Sequence, residues 1–272
     1  MSTQQEIPAA VVMKLRNATG LSMMECKKAL VEAHGDFEKA TDLIRIKLKG
    51  KMDARTDRAA GAGRIAVSIK GDHASIVEVR AETDFTAINE KFIAMTQKVA
   101  DLAATGSGNI TATTEIQAPI DEIRITTGEN CSFARGFTYA GGPAAKFGFY
   151  VHHDGKTGVL IHSEGDLSAD FLKDIGMHIV ATVPAPKGVS ASDIPAEIIE
   201  KERAFRINQA MESGKPKEIA EKMVEGGMRK FFEEIALLEQ PFVKDQARKV
   251  KDVIGSMGKI IAFKRWAIGE TA

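Results

Sequence analysis

The spacing of apolar residues switches from helical steps to strand-like runs near residue 64, and that switch divides the chain into parts with different architectures. Before it, Val11, Leu15 and Ala18 share one face of a first helix, which Thr19-Gly20 ends. Met23, Cys26, Leu30 and Ala33 line a second helix that stops at His34-Gly35. Asp36 is an N-cap candidate for a third, with Phe37, Ala40, Ile44 and Leu48 on one face. Three helices over roughly 40 residues bury only a small core, so residues 1–49 read as a modest module rather than a catalytic scaffold. Residues 50–63 are polar and rich in Lys, Arg, Asp and Gly, the composition of a linker, with some helical tendency around Ala59-Ala60.

From residue 64 the pattern is β. Ile65 to Ile69, the turn Gly71-Asp72 and the β-branched run Ala74 to Val79 predict a hairpin. A helix follows with Phe92, Met95, Val99 and Leu102 at helical spacing. The plan recurs later. Phe147 to Val151, a turn at His153 to Lys156, and Thr157 to His162 lead to a helix carrying Phe171, Ile175, Ile179 and Val180. Two copies are too few for a solenoid, so two related antiparallel-sheet/helix subdomains, 64–140 and 141–272, are expected. Within the second, residues 195–238 read as a projecting antiparallel helical hairpin. Pro195 opens it and Ser213-Gly214-Lys215-Pro216 turns it. Its returning helix bears Ile219, Met223, Met228, Phe231, Ile235 and Leu238, with Gly226-Gly227 predicting a kink or fraying. Residues 260–266 predict a last strand. The fold class is α+β, and the N-terminal part has the pattern of a ubiquitin-associated (UBA-like) three-helix bundle.

Composition limits function. Lys plus Arg and Asp plus Glu number 37 each, a balance that argues against nucleic acid as partner. Cys26 and Cys131 stand far apart, outside any CxxC pattern, which fits a reducing compartment. The N-terminus lacks the blocks of a secretion signal, and no apolar run approaches the ~20 residues that span a bilayer, so a cytoplasmic protein with no membrane partner is expected.

Motifs for chemistry are weak. Gly155-Lys156-Thr157 resembles the tail of a phosphate loop, but Tyr150 stands where the first glycine belongs and the segment lies between two predicted strands. His152-His153 beside Asp154 suggests a metal site, yet neighbours on a strand point to opposite faces. No HxxxH, HExxH or G-x-S-x-G spacing occurs. The residues thus point to a non-enzyme without cofactor or metal. Glu82-Thr83-Asp84-Phe85 is the unusual element. Read as residue types alone, Asp84 caps the following helix and Phe85 tucks into the core, as turn aromatics usually do. An aromatic displayed on a rigid turn would instead serve as a wedge for a partner protein.

Four segments carry a resemblance. Leu15 to Leu30 (LRNATGLSMMECKKAL) and Glu78 to Phe85 (EVRAETDF) resemble the two signatures of the elongation factor Ts family. Ser213 to Gly226 looks like its hairpin turn, and Gln240-Pro241-Phe242-Val243 follows in order. The resemblance implies a guanine-nucleotide exchange factor that binds elongation factor Tu and disturbs its Mg²⁺/phosphate site. On that basis Thr83, Asp84 and Phe85 form the intruding turn, with Phe85 wedged between partner side chains. Tyr150-Val151-His152 resembles the family's strand-end Tyr-x-His, giving His152 a supporting contact. Arg16, Met23 and Met24 match positions that touch a surface helix of the partner, although Met23 shares the apolar face of Cys26 and Leu30. Thr86 and Ile88 depart from the usual Val and polar residue. The sequence closes at Thr271-Ala272, without the extra C-terminal module of some members. A different reading is a UBA-type protein-binding module on an unrelated scaffold.

Overall fold

The computed structural model describes residues 7–19, 21–53, 58–214 and 216–270. Gly20, residues 54–57 of the linker, Lys215 and Thr271-Ala272 lie outside the described residues, as does the side chain of Leu48. Ten α-helices are described: α1 (Ala9–Thr19), α2 (Met23–Glu32), α3 (Phe37–Asp53), α4 (Asp84–Ala87), α5 (Glu90–Ala103), α6 (Thr114–Thr127), α7 (Ala169–Ala181), α8 (Ala196–Glu212), α9 (Lys217–Ile235) and α10 (Val250–Ile254). The strands are β1 (Ala62–Lys70), β2 (His73–Ala81), β3 (Gly108–Ile110), β4 (Cys131–Ala140), β5 (Ala145–Val151), β6 (Thr157–Gly165), β7 (Pro241–Phe242), β8 (Asp245–Lys249) and β9 (Gly258–Ala267). The fold is mixed, with helices and antiparallel sheets.

Two sheets organise the centre. The first has the order β1-β2-β4-β3, the second β5-β6-β9, and β7 and β8 form a separate ribbon. Strands β1 and β2 are buried along most of their length because both their faces are covered. Alternation sends Ala66, Val77 and Val79 towards Phe92, Met95 and Val99 of α5 and Ile116 and Ile120 of α6. It sends Ile65, Val67, Ala74 and Ile76 the other way, against Leu160 of β6. The far face of β6, with Val159 and Ile161, packs on Leu172, Ile175 and Ile179 of α7. The result is four layers: helices α5 and α6, first sheet, second sheet, helix α7.

Charge crosses the seam between the sheets. Glu78 sits at a register shift in β2 and is almost fully buried. Its Oε1 accepts from Arg80 at 3.0 Å, and its Oε2 accepts from Arg135 Nε at 2.8 Å. The Arg135 guanidinium lies 4.6 Å from the Trp266 ring of β9 and donates to Ala267 O. One carboxylate therefore holds two strands of the first sheet and, through Arg135, a strand of the second.

Helices α1, α2 and α3 enclose their own core of Val12, Leu15, Cys26, Ala29, Leu30, Ala40 and Ile44. The stripe of α1 runs through Val12 and Leu15, with Val11 half-buried and Ala18 exposed, one position away from the expected face. Helix α3 reaches Asp53, past the expected boundary at 49, and Ala59-Ala60 is not helical. There Ala60 O accepts from Arg80 Nε. Helix α6 and strand β4 occupy a stretch to which the apolar pattern assigns nothing. Pro119 inside α6 obscures a helix that nonetheless buries Ile116, Ile120 and Ile123.

Helices α8 and α9 pack on each other, and α9 continues through Gly226-Gly227. A Cβ at Gly227 would meet only the outer atoms of the Arg206 side chain of α8, which can move aside. At the base of α9, His178 and Gln240 are buried and paired at 3.1 Å. His178 Nδ1 accepts from Val243 N, which leaves Nε2–H to donate to Gln240 Oε1. Gln240 Nε2 in turn donates to Pro184 O and Glu234 O.

Two outcomes follow for stability. Glu78→Ala strips two arginines of their shared partner at the sheet seam and should cost about 3 kcal/mol by urea unfolding; a loss under ~1 kcal/mol would remove the seam role. Burial holds the His178 pKa below the usual 6.5, against a smaller upward pull from Gln240. A histidine whose native pKa is depressed leaves stability intact above the unfolded value and erodes it as pH falls towards the native one. Unfolding midpoints should therefore decline from about pH 6.5 downward; a flat profile to pH 5.5 would contradict this.

Candidate functional site

The Glu82-Thr83-Asp84-Phe85 turn leaves β2 and enters α4, a single helical turn. Thr83, not Asp84, is its N-cap: the backbone is extended (φ −122°, ψ 156°) and Oγ1 accepts from Thr86 N at 3.3 Å. Asp84 occupies the first helical position, where a carboxylate faces the positive end of the peptide dipoles. A one-turn helix cannot bury every side. Thr86 and Ala87 turn inward and are buried, while Phe85 and Ile88, three residues apart on the opposite face, are 79% and 63% exposed. The expectation from residue type, Phe85 in the core, is thus overturned: the inward positions of α4 are taken by small residues. Thr86 fills a core position, and Ile88 adds apolar surface beside Phe85.

The turn is anchored by residues that local sequence does not single out. Thr83 Oγ1 donates to Glu129 Oε1 at 2.7 Å and Thr83 N donates to Glu129 Oε2 at 3.2 Å. Glu82 Oε1 accepts from Asn130 N at 2.6 Å, and its other oxygen lies 3.6 Å from Arg58. Asn130 Nδ2 donates to Arg58 O. These partners are 46 and 48 residues apart in sequence, so no motif could reveal them; Gly128, the left-handed cap of α6 (φ 73°), was the one local sign of a sharp turn there.

His152 lies in the turn after β5, half-buried. Its amide donates to Thr157 O, its carbonyl accepts from Gly155 N, and Tyr150 Oη lies 3.1 Å from Nδ1. His152 and His153 do not point to opposite faces as on a strand: both follow the end of β5, and their rings approach to 4.3 Å. Even so, among the described residues no group of three or more His, Cys, Asp or Glu side chains is placed to hold a metal. Gly155-Lys156-Thr157 lies in the β5–β6 turn, not before a helix.

This turn and α4 share one edge of the molecule. Gly155 O accepts from Ile65 N at 2.8 Å, which joins the turn to the start of β1. The start of β1 is paired with the end of β2, Ala62 opposite Ala81 and Arg64 opposite Val79, and the end of β2 runs directly into Thr83. The turn that carries His152 and the helix that carries Phe85 thus both adjoin the start of β1.

Arg16, Met23 and Met24 gather at the α1–α2 connection. Arg16 is exposed in the last turn of α1; Met23 and Met24, 36% and 64% exposed, open α2 after the Ser22–Glu25 capping box. Met23 is therefore less buried than its spacing suggests. These three residues lie on the helical module, which meets the remainder through α3 and α6; they are not part of the Phe85 rim. No helix among the described residues is long and apolar enough to cross a membrane. Cys131 is buried, and its thiol pKa is pushed up to about 12 by burial, which disfavours the thiolate.

Residues 82–270 match the family model described as "Elongation factor TS". The chain is 40% identical to elongation factor Ts of Gluconobacter oxydans (strain 621H), covering 97% of this chain and 93% of the relative. It is 41% identical to the elongation factor Ts of Haemophilus influenzae (strain 86-028NP) and 38% identical to that of Maricaulis maris (strain MCS10), each over 97% of this chain and 92% of the relative. The family match takes in α4, the second sheet and strands β3 and β4, and the relatives cover 97% of the chain, so the scaffold is not unrelated to the family and the reading of a UBA-type module on a foreign core falls. On the match from Glu82 onward and these identities, the chain belongs to the elongation factor Ts family.

Proposed function

We propose that the protein binds elongation factor Tu and promotes release of its GDP, in support of translation elongation in the cytoplasm, by pressing the Asp84-Phe85 turn into the partner near its Mg²⁺ and phosphates. The observation that carries this reading is Phe85, a large aromatic left 79% exposed on a capped and doubly anchored turn. Such a side chain has its burial free energy, ~1.5–3 kcal/mol, still available for a partner. His152 contributes from the turn that adjoins the start of β1. Arg16, Met23 and Met24 offer a second contact from the helical module.

The activity requires no bond-making group, and in this sense the protein is not an enzyme. An exchange factor binds the nucleotide-free partner more tightly than the nucleotide-bound one, and linkage then makes it weaken nucleotide by the same factor. Mg²⁺ bridges phosphate and protein oxygens, so disturbing its ligands removes much of the nucleotide's hold. Asp84, a carboxylate beside the wedge, is suited to compete near such a cation. The same reading takes residues 1–49 as a UBA-like module, 50–63 as the linker, 64–140 and 141–272 as two related subdomains, and 195–238 as an antiparallel hairpin that projects from the core. The face-to-face packing of two sheets, one backed by α5 and α6 and the other by α7, supports the duplication.

Titration calorimetry with elongation factor Tu tests the reading: the nucleotide-free form should bind more tightly than the GDP form, and equal affinity would exclude exchange by linkage. Phe85→Ala, at an exposed position, should keep its unfolding midpoint yet lower the exchange rate by about tenfold to a hundredfold. A fully active variant would remove Phe85 as the wedge. His152→Ala should lose less.

A further inference from the structure

We propose that Glu129 is a positioning residue for the exchange turn, one that fixes the direction of Phe85 without touching the partner; this rests on the reading of Phe85 as the wedge. The first ground is the helix itself. Helix α4 has four residues, too few to be stable alone, so its geometry is imposed from outside. The second is how its cap is held. Thr83 accepts from Thr86 N through its hydroxyl oxygen, and its own two donors, O–H and N–H, both go to one carboxylate. Glu129 meets Thr83 with one oxygen per donor, a two-point contact that fixes rotation as well as distance.

Glu129 stands outside the packed clusters. It follows Gly128 in the connection between α6 and β4, half-buried, with both oxygens engaged by Thr83. Its neighbour Asn130 receives Glu82 on its amide and reaches Arg58 O with its side chain, so the residue before Thr83 is pinned by the same loop. The 129–130 loop thus acts as a socket for the turn. Removing the Glu129 carboxylate leaves the sheets and their cores in place but frees Thr83 from its outside support. Phe85, two residues on, then samples directions that do not enter the partner.

The test uses the full chain with Glu129→Ala and Glu129→Gln, each also in the Phe85→Ala background, and follows labelled GDP release from elongation factor Tu at limiting factor. Glu129→Ala should release GDP about tenfold more slowly than wild type, the scale of one lost charge-assisted hydrogen bond. Glu129→Gln should fall between, since its amide oxygen still accepts from the Thr83 hydroxyl while its NH₂ faces the Thr83 N–H. In the Phe85→Ala background Glu129→Ala should cause no further loss, a result that a general structural defect would not give. In the free protein, amide hydrogen exchange should speed up at residues 83–89 and stay unchanged in β1 and β2. Wild-type rates for Glu129→Ala, or an equal loss with and without Phe85, would overturn the inference, as would unchanged amide exchange at 83–89. Should Glu129→Ala not fold, Glu129→Gln carries the same comparisons. If wild type itself fails to release GDP, the functional reading fails, and amide exchange still decides whether Glu129 holds the turn.

Discussion

Burial of β1 and β2 on both faces is the constraint on which the rest of the molecule depends. A hairpin with one wet face could end anywhere. Here Val77 and Val79 must reach α5 and α6 while Ile65 and Ile76 must reach the second sheet, so register and direction are both fixed. The end of β2 is consequently held at a defined place on the rim, beside the β5–β6 turn that joins Ile65 through Gly155. Glu78 and its two arginines reinforce the seam at the level of the strand that delivers Thr83. Precision at the rim is inherited from the layers behind it.

The exposed turn reverses the usual relation between an aromatic and a core. A buried Phe85 would stabilise the free protein and have nothing to offer a partner. Small, inward-facing Thr86 and Ala87 satisfy the packing of α4, and the apolar surface of Phe85 and Ile88 stays in water. The anchoring by Glu129, Glu82 and Asn130 lowers the conformational freedom that binding would otherwise have to remove. A displayed aromatic on a stiff turn therefore makes a better wedge than the same residue on a mobile loop.

Much of this was legible in the sequence, for reasons that can be traced. Two-sided burial gives β1, β2 and β6 strong apolar runs, and glycine-containing turns at Gly71 and Gly155 punctuate them, so both hairpins were readable. The three N-terminal helices were readable from spacing, although the buried stripe of α1 lies one residue away because a face spanning Val11, Leu15 and Ala18 is nearly degenerate with one through Val12 and Leu15. Helix α6 was obscured by Pro119. The tripeptide Thr83-Asp84-Phe85 was visible as a motif, but the exposure of Phe85 depends on which side of a one-turn helix faces the sheet. Glu129 and Asn130 were invisible, because contacts across 46 and 48 residues leave no local pattern. Gly226-Gly227 lowers helix propensity, yet α9 continues through both.

Under the proposed function, nucleotide leaves elongation factor Tu faster because of protein–protein contact. Stopped-flow fluorescence of labelled GDP leaving elongation factor Tu, with wild-type protein at substoichiometric amounts, measures this most directly. Exchange through linkage predicts that each molecule of factor turns over many partners and that the release rate rises in proportion to factor concentration before saturating. A release rate equal to the spontaneous one, with folded protein and a cognate partner, would contradict it.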